Sequence, residues 1–151
     1  IIRPPLVYGP NAPGNFKSLL HWLSSNVPLP LGAVTSNRRS FVSLYNLIDL
    51  ITVCLVHPAA ANQIFLVSDG EDLSTTDLLH RLSRALKKEP LLIAIPPYFL
   101  RLLARSIGKS EIATRLLDDL RLDISHTCTT LDWAPPISVD EGLYKAVREL
   151  S

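Results

Sequence analysis

Tyrosines, histidines, cysteines, serines and carboxylates are the residues able to do chemistry here, and their spacing decides what they can do. Tyr8, Tyr45, Tyr98 and Tyr144 are followed four positions on by Ala12, Asp49, Leu102 and Arg148. None forms the Tyr-x-x-x-Lys pair in which a lysine lowers a phenol's pKa for proton transfer beside a hydride acceptor. Tyr144 with Arg148 comes nearest, and an ordinary i,i+4 surface contact is the simpler account of it. His21, His57, His80 and His126 lack partners at metal-ligand spacing, so no metal site is expected. Serine, histidine and aspartate could be grouped on paper, but no Gly-x-Ser-x-Gly elbow presents a nucleophile. The glycines, at positions 9, 14, 32, 70, 108 and 142, make neither a Gly-x-Gly-x-x-Gly nor a phosphate-loop spacing. The expectation is a chain with no catalytic set of its own.

The elements that would position any site follow from composition and periodicity. With 151 residues, 47% hydrophobic and 19% charged, the chain is long and apolar enough to bury a core. A formal net charge of +1 argues against a nucleic-acid partner. Cys54 and Cys128 lie far apart without ligand spacing; Cys54 reads as a small buried hydrophobe, and a reducing, cytoplasmic compartment is expected. No apolar run reaches the ~18 residues that span a bilayer, so no membrane partner is expected. The chain opens Ile1-Ile2-Arg3-Pro4-Pro5 without Met, inside what reads as a strand, and the expectation is a piece of a longer protein.

Residues 1–8 read as a buried strand ending at Gly9-Pro10, with two prolines that withhold ladder donors. Asn15 offers an N-cap to a helix whose Phe16, Leu19, Leu20 and Leu23 share a face. An extended segment at 28–32 and a strand at 39–44 follow. Residues 46–56, apolar nearly all round, suit a helix buried against a sheet. A strand is expected at 62–67. Ser74 with Asp77, flanked by Leu73 and Leu78, marks the start of a helix, as Ser138 with Glu141 does for the last one. Between them come short strands at 91–95 and 121–123, and helices at 98–106, at 111–117 and from Asp123 or Ser125 to near Trp133. The class is mixed α/β; the order of strands in the sheet stays open.

Eight short motifs, in order along the chain, carry a family resemblance. They are Arg3-Pro4-Pro5-Leu6-Val7-Tyr8-Gly9-Pro10, Gly14-Asn15-Phe16, Pro28-Leu29-Pro30-Leu31-Gly32 and Asn37-Arg38-Arg39-Ser40-Phe41-Val42. Then come Asn46-Leu47-Ile48-Asp49, Val67-Ser68-Asp69-Gly70-Glu71-Asp72-Leu73-Ser74, Arg115-Leu116 and Leu131-Asp132-Trp133-Ala134-Pro135-Pro136. The series resembles the extended short-chain dehydrogenase/reductase family, the NAD-dependent nucleotide-sugar epimerases and dehydratases. It is similar in particular to bacterial epimerase-like proteins of surface-polysaccharide pathways.

The resemblance implies a fold, a cofactor and a site. The fold would be the C-terminal, substrate-binding part of a Rossmann-type enzyme: residues 1–9 end the NAD-binding domain, and residues 10–151 form the nucleotide-sugar-binding domain. Pro4 would pass the nicotinamide ring of NAD. Asn15 would contact the sugar-nucleotide diphosphate, an exposed helix N-terminus being suited to phosphate whether or not Asn15 also caps. Leu29 and Leu31 would pack along the nucleotide base, with ordinary core packing as the plainer alternative. Arg39 would pair with the diphosphate through its planar fork, and Arg115 would be a second diphosphate arginine or a surface helix charge. Arg38 and Arg121 are lesser candidates. Leu6, Ser43 and Asp118-Asp119 depart from the family pattern, and two carboxylates beside a diphosphate are unfavourable unless they turn away.

The function so implied is the substrate-binding portion of a nucleotide-sugar 4-epimerase, a homodimer acting on a UDP-sugar through a 4-keto intermediate. The alternatives are a 4,6-dehydratase or 4-ketoreductase of the same family, a non-catalytic binding relative, and a helical interaction domain using the apolar stretch 91–103.

Overall fold

The computed structural model describes residues 1–10, 15–25 and 27–148, with Asn15 by its backbone alone. The chain is mixed α/β, as expected, and divides into two compact units, each assembled from separate stretches of sequence. Unit 1 comprises Ile1–Ala12, Ser40–Asp72 and Arg121–Ser151; unit 2 comprises Pro13–Arg39 and Leu73–Leu120.

In unit 1, β1 (Ile2–Arg3) pairs in parallel with β4 (Phe65–Leu66), and β2 (Leu6–Tyr8) pairs in parallel with β3 (Arg39–Ser43). β5 (Asp72–Leu73) completes the order β2-β3-β5. The single strand expected over residues 1–8 is therefore two. Pro4 and Pro5 have no N–H to donate, so the ladder stops there and the chain takes a new partner beyond them. Past Arg39, every residue of β3 is buried, the signature of a parallel strand covered on both faces.

α2 (Leu44–Val56) starts where the Ser43 hydroxyl accepts the Asn46 N–H. It buries Asn46 and Leu50, but Ile48, Ile51, Leu55 and Val56 are exposed. The helix expected over 46–56, apolar nearly all round, is thus buried along one stripe only, because a sheet meets only one side of a helix. A 3-10 turn (Pro58–Ala60), α6 (Ser125–Leu131) and α7 (Val139–Arg148) complete the unit. α6 is hooked to β4 by Thr127 Oγ1, which donates to the Leu66 carbonyl at 2.6 Å. The core is Val42, Leu50, Phe65, Val67, Leu131 and Trp133, whose Nε1 donates to Asp49 at 2.7 Å. The strand expected at 121–123 is absent. Leu122 N–H donates instead to the Ser40 hydroxyl at 2.8 Å, so a side chain does the work of a ladder.

In unit 2, α1 (Asn15–Ser24) buries Phe16, Leu20 and Leu23. The segment at 28–32 meets residues 91–93 through one bridge, Leu29 with Leu92, and through the Gly32 N–H, which donates to the Ile93 carbonyl at 3.0 Å, so the strand expected at 91–95 is reduced to these contacts. α3 (Thr75–Ala85) opens as its capping residues require, with the Ser74 hydroxyl accepting the Asp77 N–H at 3.0 Å, and buries Leu78, Leu79 and Leu82. α4 (Pro97–Ser106) buries no residue, whereas α5 (Ser110–Leu117) buries Ala113 and Leu117. Among the described residues no helix is long and apolar enough to cross a membrane.

Candidate functional site

Arg39 is half-buried, and one donor of its guanidinium, Nη1, is used on the Asp118 carbonyl at 2.8 Å. Burial lowers its pKa from the ordinary value, with Asp118 and Asp119 working against that shift, and a guanidinium stays charged regardless. The backbone beside it is fixed from two sides. Asn37, buried, donates to Thr75 Oγ1 at 3.0 Å and to the Leu116 carbonyl at 3.2 Å, and accepts the Thr75 N–H at 3.0 Å. A further bridge joins Arg39 to Leu120. One short polar cluster thereby ties the arginine's segment to the start of α3 and the end of α5.

The two carboxylates that follow α5 are both taken up. Asp118 Oδ1 receives Arg101 Nη2 at 2.5 Å, and Asp119 Oδ1 receives the Arg38 N–H at 2.8 Å. Arg38 itself spends Nη1 on the Thr35 and Asn37 carbonyls, both at 2.9 Å. Arg115 is exposed on α5, three residues before the carbonyl that holds Arg39. The structure therefore brings Arg39 to the end of the helix that carries Arg115.

Leu29 and Leu31 are buried and line an apolar groove of about 400 Å³ with Trp22, Leu103, Ile107 and Leu117. Both backbone groups of Leu29 are spent in the bridge: its N–H donates to Leu91 and its carbonyl accepts from Ile93, each at 2.8 Å. The Leu31 carbonyl accepts Thr76 Oγ1 at 2.7 Å. Asn15 is the first residue of α1, and its side chain lies outside the described residues. Pro4 stands exposed in unit 1, in the break between β1 and β2. Four of the candidates, Leu29, Leu31, Arg39 and Arg115, thus gather around α5 within unit 2.

Unit 1 holds a polar cluster that residue spacing did not single out. Tyr8, fully buried, donates its hydroxyl to Asp69 Oδ2 at 2.6 Å and has the Val139 carbonyl at 3.2 Å. Asp69 also accepts the Ser43 N–H, at 2.9 and 3.1 Å to its two oxygens, and Asn46 Nδ2 at 2.6 Å. Asn46 in turn donates to the Ile137 carbonyl at 2.9 Å and accepts the Ile137 N–H at 3.1 Å. Burial pushes the Tyr8 phenol up, helped by the Asp69 charge. Burial also raises the Asp69 carboxyl above its ordinary value, although its donors oppose the shift. Tyr8, Asn46 and Asp69 belong to quoted motifs while Ser43, Ile137 and Val139 do not, and separations of 23 to 131 positions between partners leave no local pattern to read. Among the described residues no group of His, Cys, Asp and Glu could hold a metal ion.

Short parallel strands with helices on the connections are the fold of the C-terminal part of Rossmann-type α/β proteins. The chain belongs to the extended short-chain dehydrogenase/reductase family. It is 49% identical over 148 residues to UDP-glucose 4-epimerase of Vibrio cholerae, a match over 98% of this chain and 45% of that protein. Among solved structures, UDP-glucuronic acid 4-epimerase from Bacillus cereus in complex with NAD superposes with a TM-score of 0.72 at 18% identity, over 99% of this chain and 43% of that one. UDP-N-acetylglucosamine 4-epimerase from Bacillus cereus gives 0.71 at 14%, over 97% and 44%. These two likenesses establish the fold. The chain spans about half the length of the curated relatives it matches. No protein-family model matches it.

Proposed function

We propose that the whole protein is an NAD-dependent nucleotide-sugar 4-epimerase working through a 4-keto intermediate, and that this chain is its nucleotide-sugar-binding part. The observation that carries the reading is 49% identity maintained over 98% of the chain. In this reading residues 1–9 end the NAD-binding domain and residues 10–151 bind the nucleotide sugar, in a cytoplasmic homodimer. Arg39 and Arg115 hold the diphosphate with Asn15, while Leu29 and Leu31 pack along the base. Pro4, exposed and without an N–H, offers an apolar edge suited to the nicotinamide ring. When bound, NAD supplies the reversible hydride acceptor that 4-epimerisation needs. The residues of this chain keep the nucleotide diphosphate fixed while the sugar turns, so that binding to an unreacting group positions the reacting one.

The test is incubation of the whole protein with UDP-glucose, UDP-N-acetylglucosamine and dTDP-glucose, with products followed by NMR. A C4 epimer is expected. A 4-keto-6-deoxy sugar would move the protein to the dehydratases, and no conversion with NAD bound would leave a non-catalytic relative. For the site itself, Arg39→Ala should weaken UDP binding by about 2 kcal/mol, the value of a charge-assisted contact; an unchanged calorimetric titration removes Arg39 from the site.

A further inference from the structure

The near-neutral total hides an asymmetry of charge. Unit 2 contains eleven Lys and Arg against five Asp and Glu, a formal +6, whereas unit 1 contains four against nine, a formal −5. Within unit 2, residues 97–109 contain Arg101, Arg105 and Lys109 and no carboxylate. This basic stretch is α4 and the turn after it, where no helical residue is buried.

What α4 exposes is apolar. At helical spacing Tyr98, Leu102, Phe99 and Leu103 form a continuous arc roughly 140° wide, and each is more than half exposed, from 52% for Leu102 to 71% for Tyr98. Scattered apolar residues on a surface need no explanation, but a contiguous arc does. Arg101 and Arg105 border the arc on one side. Arg101 is engaged by Asp118, which leaves Arg105 as the cation of that edge, while Lys109 stands beside the groove at the other. On the other side the arc runs through Leu103 and Ile107 into the apolar groove, whose rim carries the partly exposed Trp22. An aromatic and leucine-rich face edged by basic side chains is the make-up of a helix that lies in a membrane interface, where long cations reach the headgroups while the apolar face sinks.

We propose that the α4 face of unit 2 docks on an anionic lipid bilayer, with Tyr98, Phe99, Leu102 and Leu103 entering the headgroup boundary and Arg105 and Lys109 on lipid phosphates. The expectation of no membrane partner rested on the lack of a spanning segment, and an interfacial helix needs none. A second copy of the chain is the less suitable cover, because a two-fold contact through α4 sets like charges against like. Neither diphosphate candidate, Arg39 nor Arg115, lies in this face, so the inference stands apart from the proposed reaction.

The experiment mixes the protein with vesicles of phosphatidylcholine, with and without phosphatidylglycerol, and reads co-sedimentation and Trp22 emission. Trp133 is buried, and a Trp22→Phe control isolates its signal. Binding with a blue shift is expected on the anionic vesicles alone, and added salt should weaken it. Arg105→Gln with Lys109→Gln should lower the partition roughly thirtyfold, from the usual gain per basic residue at such a surface. Phe99→Ser with Leu102→Ser should abolish the blue shift. All four positions are exposed, and circular dichroism verifies that these variants keep the fold. Equal behaviour on both vesicle types, or full binding by the Arg105/Lys109 double variant, overturns the proposal. So does a concentration-dependent dimer that Phe99→Ser dissolves, which would assign the face to a second copy.

Discussion

Unit 1 closes around a buried carboxyl, while unit 2 packs leucines about a cleft and leaves a helix on its surface. In the first, Tyr8, Ser43 and Asn46 all converge on Asp69, and all three are at most 1% exposed. These contacts join β2, β3 and α2, and Asn46 extends them to the residues before α7. In the second, most of the buried polar residues, Asn37, Ser74, Thr75 and Thr76, sit at the start of α3, and α4 buries no residue. A buried polar network fixes one arrangement, since any slip orphans several donors at once. An apolar cleft tolerates adjustment and keeps surface for a partner. The acidic unit is built for a single geometry and the basic unit for contact.

The largest expected effect tests the first half of that contrast. Asp69→Ala leaves the Ser43 N–H, the Asn46 amide and the Tyr8 hydroxyl without their common acceptor in a buried site. The cost should be about 3–5 kcal/mol, the scale for breaking a buried charged network. Urea unfolding followed through Trp133, whose ring lies in the unit 1 core, measures it. A loss below about 1 kcal/mol, no more than one ordinary hydrogen bond, would mean that the cluster is incidental to the fold.

A smaller effect is expected at Gly142, in α7. A Cβ there would stand 2.6 Å from the Tyr8 hydroxyl and 3.0 Å from Ser43 Cβ. Alanine favours a helix by about 1 kcal/mol over glycine, but Tyr8 is held by Asp69 and cannot swing aside. Overpacking of this kind costs roughly 1–3 kcal/mol, so Gly142→Ala should be net destabilising by roughly 1 kcal/mol. The two substitutions should also be coupled, because releasing Tyr8 removes the obstacle. Gly142→Ala ought to be better tolerated on the Asp69→Ala background than alone; additive losses would show that Tyr8 is free to move.

Features decided within one turn of chain were legible in the sequence. Ser74 with Asp77 and Ser138 with Glu141 start α3 and α7 as read, because a cap and its partner N–H are three residues apart. Features decided by a distant partner were not. The exchange of strand partners across Pro4-Pro5, the exposed side of α2 and the lone bridge at Leu29 all depend on what lies opposite. The same holds for the site. Arg39 was singled out as a candidate through the motif around it, but its contact with the Asp118 carbonyl joins residues 79 positions apart. The Tyr8–Asp69 pair, 61 positions apart, left no local trace at all.

The smallest effect concerns the proton on Asp69. Its pKa is raised in the folded protein, first by burial, so folding favours the protonated acid relative to the unfolded chain. The sign follows directly: this group's contribution to stability is complete below the unfolded value of roughly pH 4 and is lost as pH rises through the folded value. The geometry explains how the acid form is accommodated. Its neighbours are donors, but the Tyr8 hydroxyl also has the Val139 carbonyl at 3.2 Å. Protonated Asp69 can donate to the Tyr8 oxygen while the Tyr8 proton turns to Val139, and neither oxygen loses a partner. Asp69→Asn cannot titrate, so the difference in unfolding free energy between wild type and this variant should shrink as pH rises from about 4. Chemical denaturation across that range measures it. A difference that grows with pH would mean that the four donor contacts outweigh burial, and that the carboxylate is the form the fold prefers.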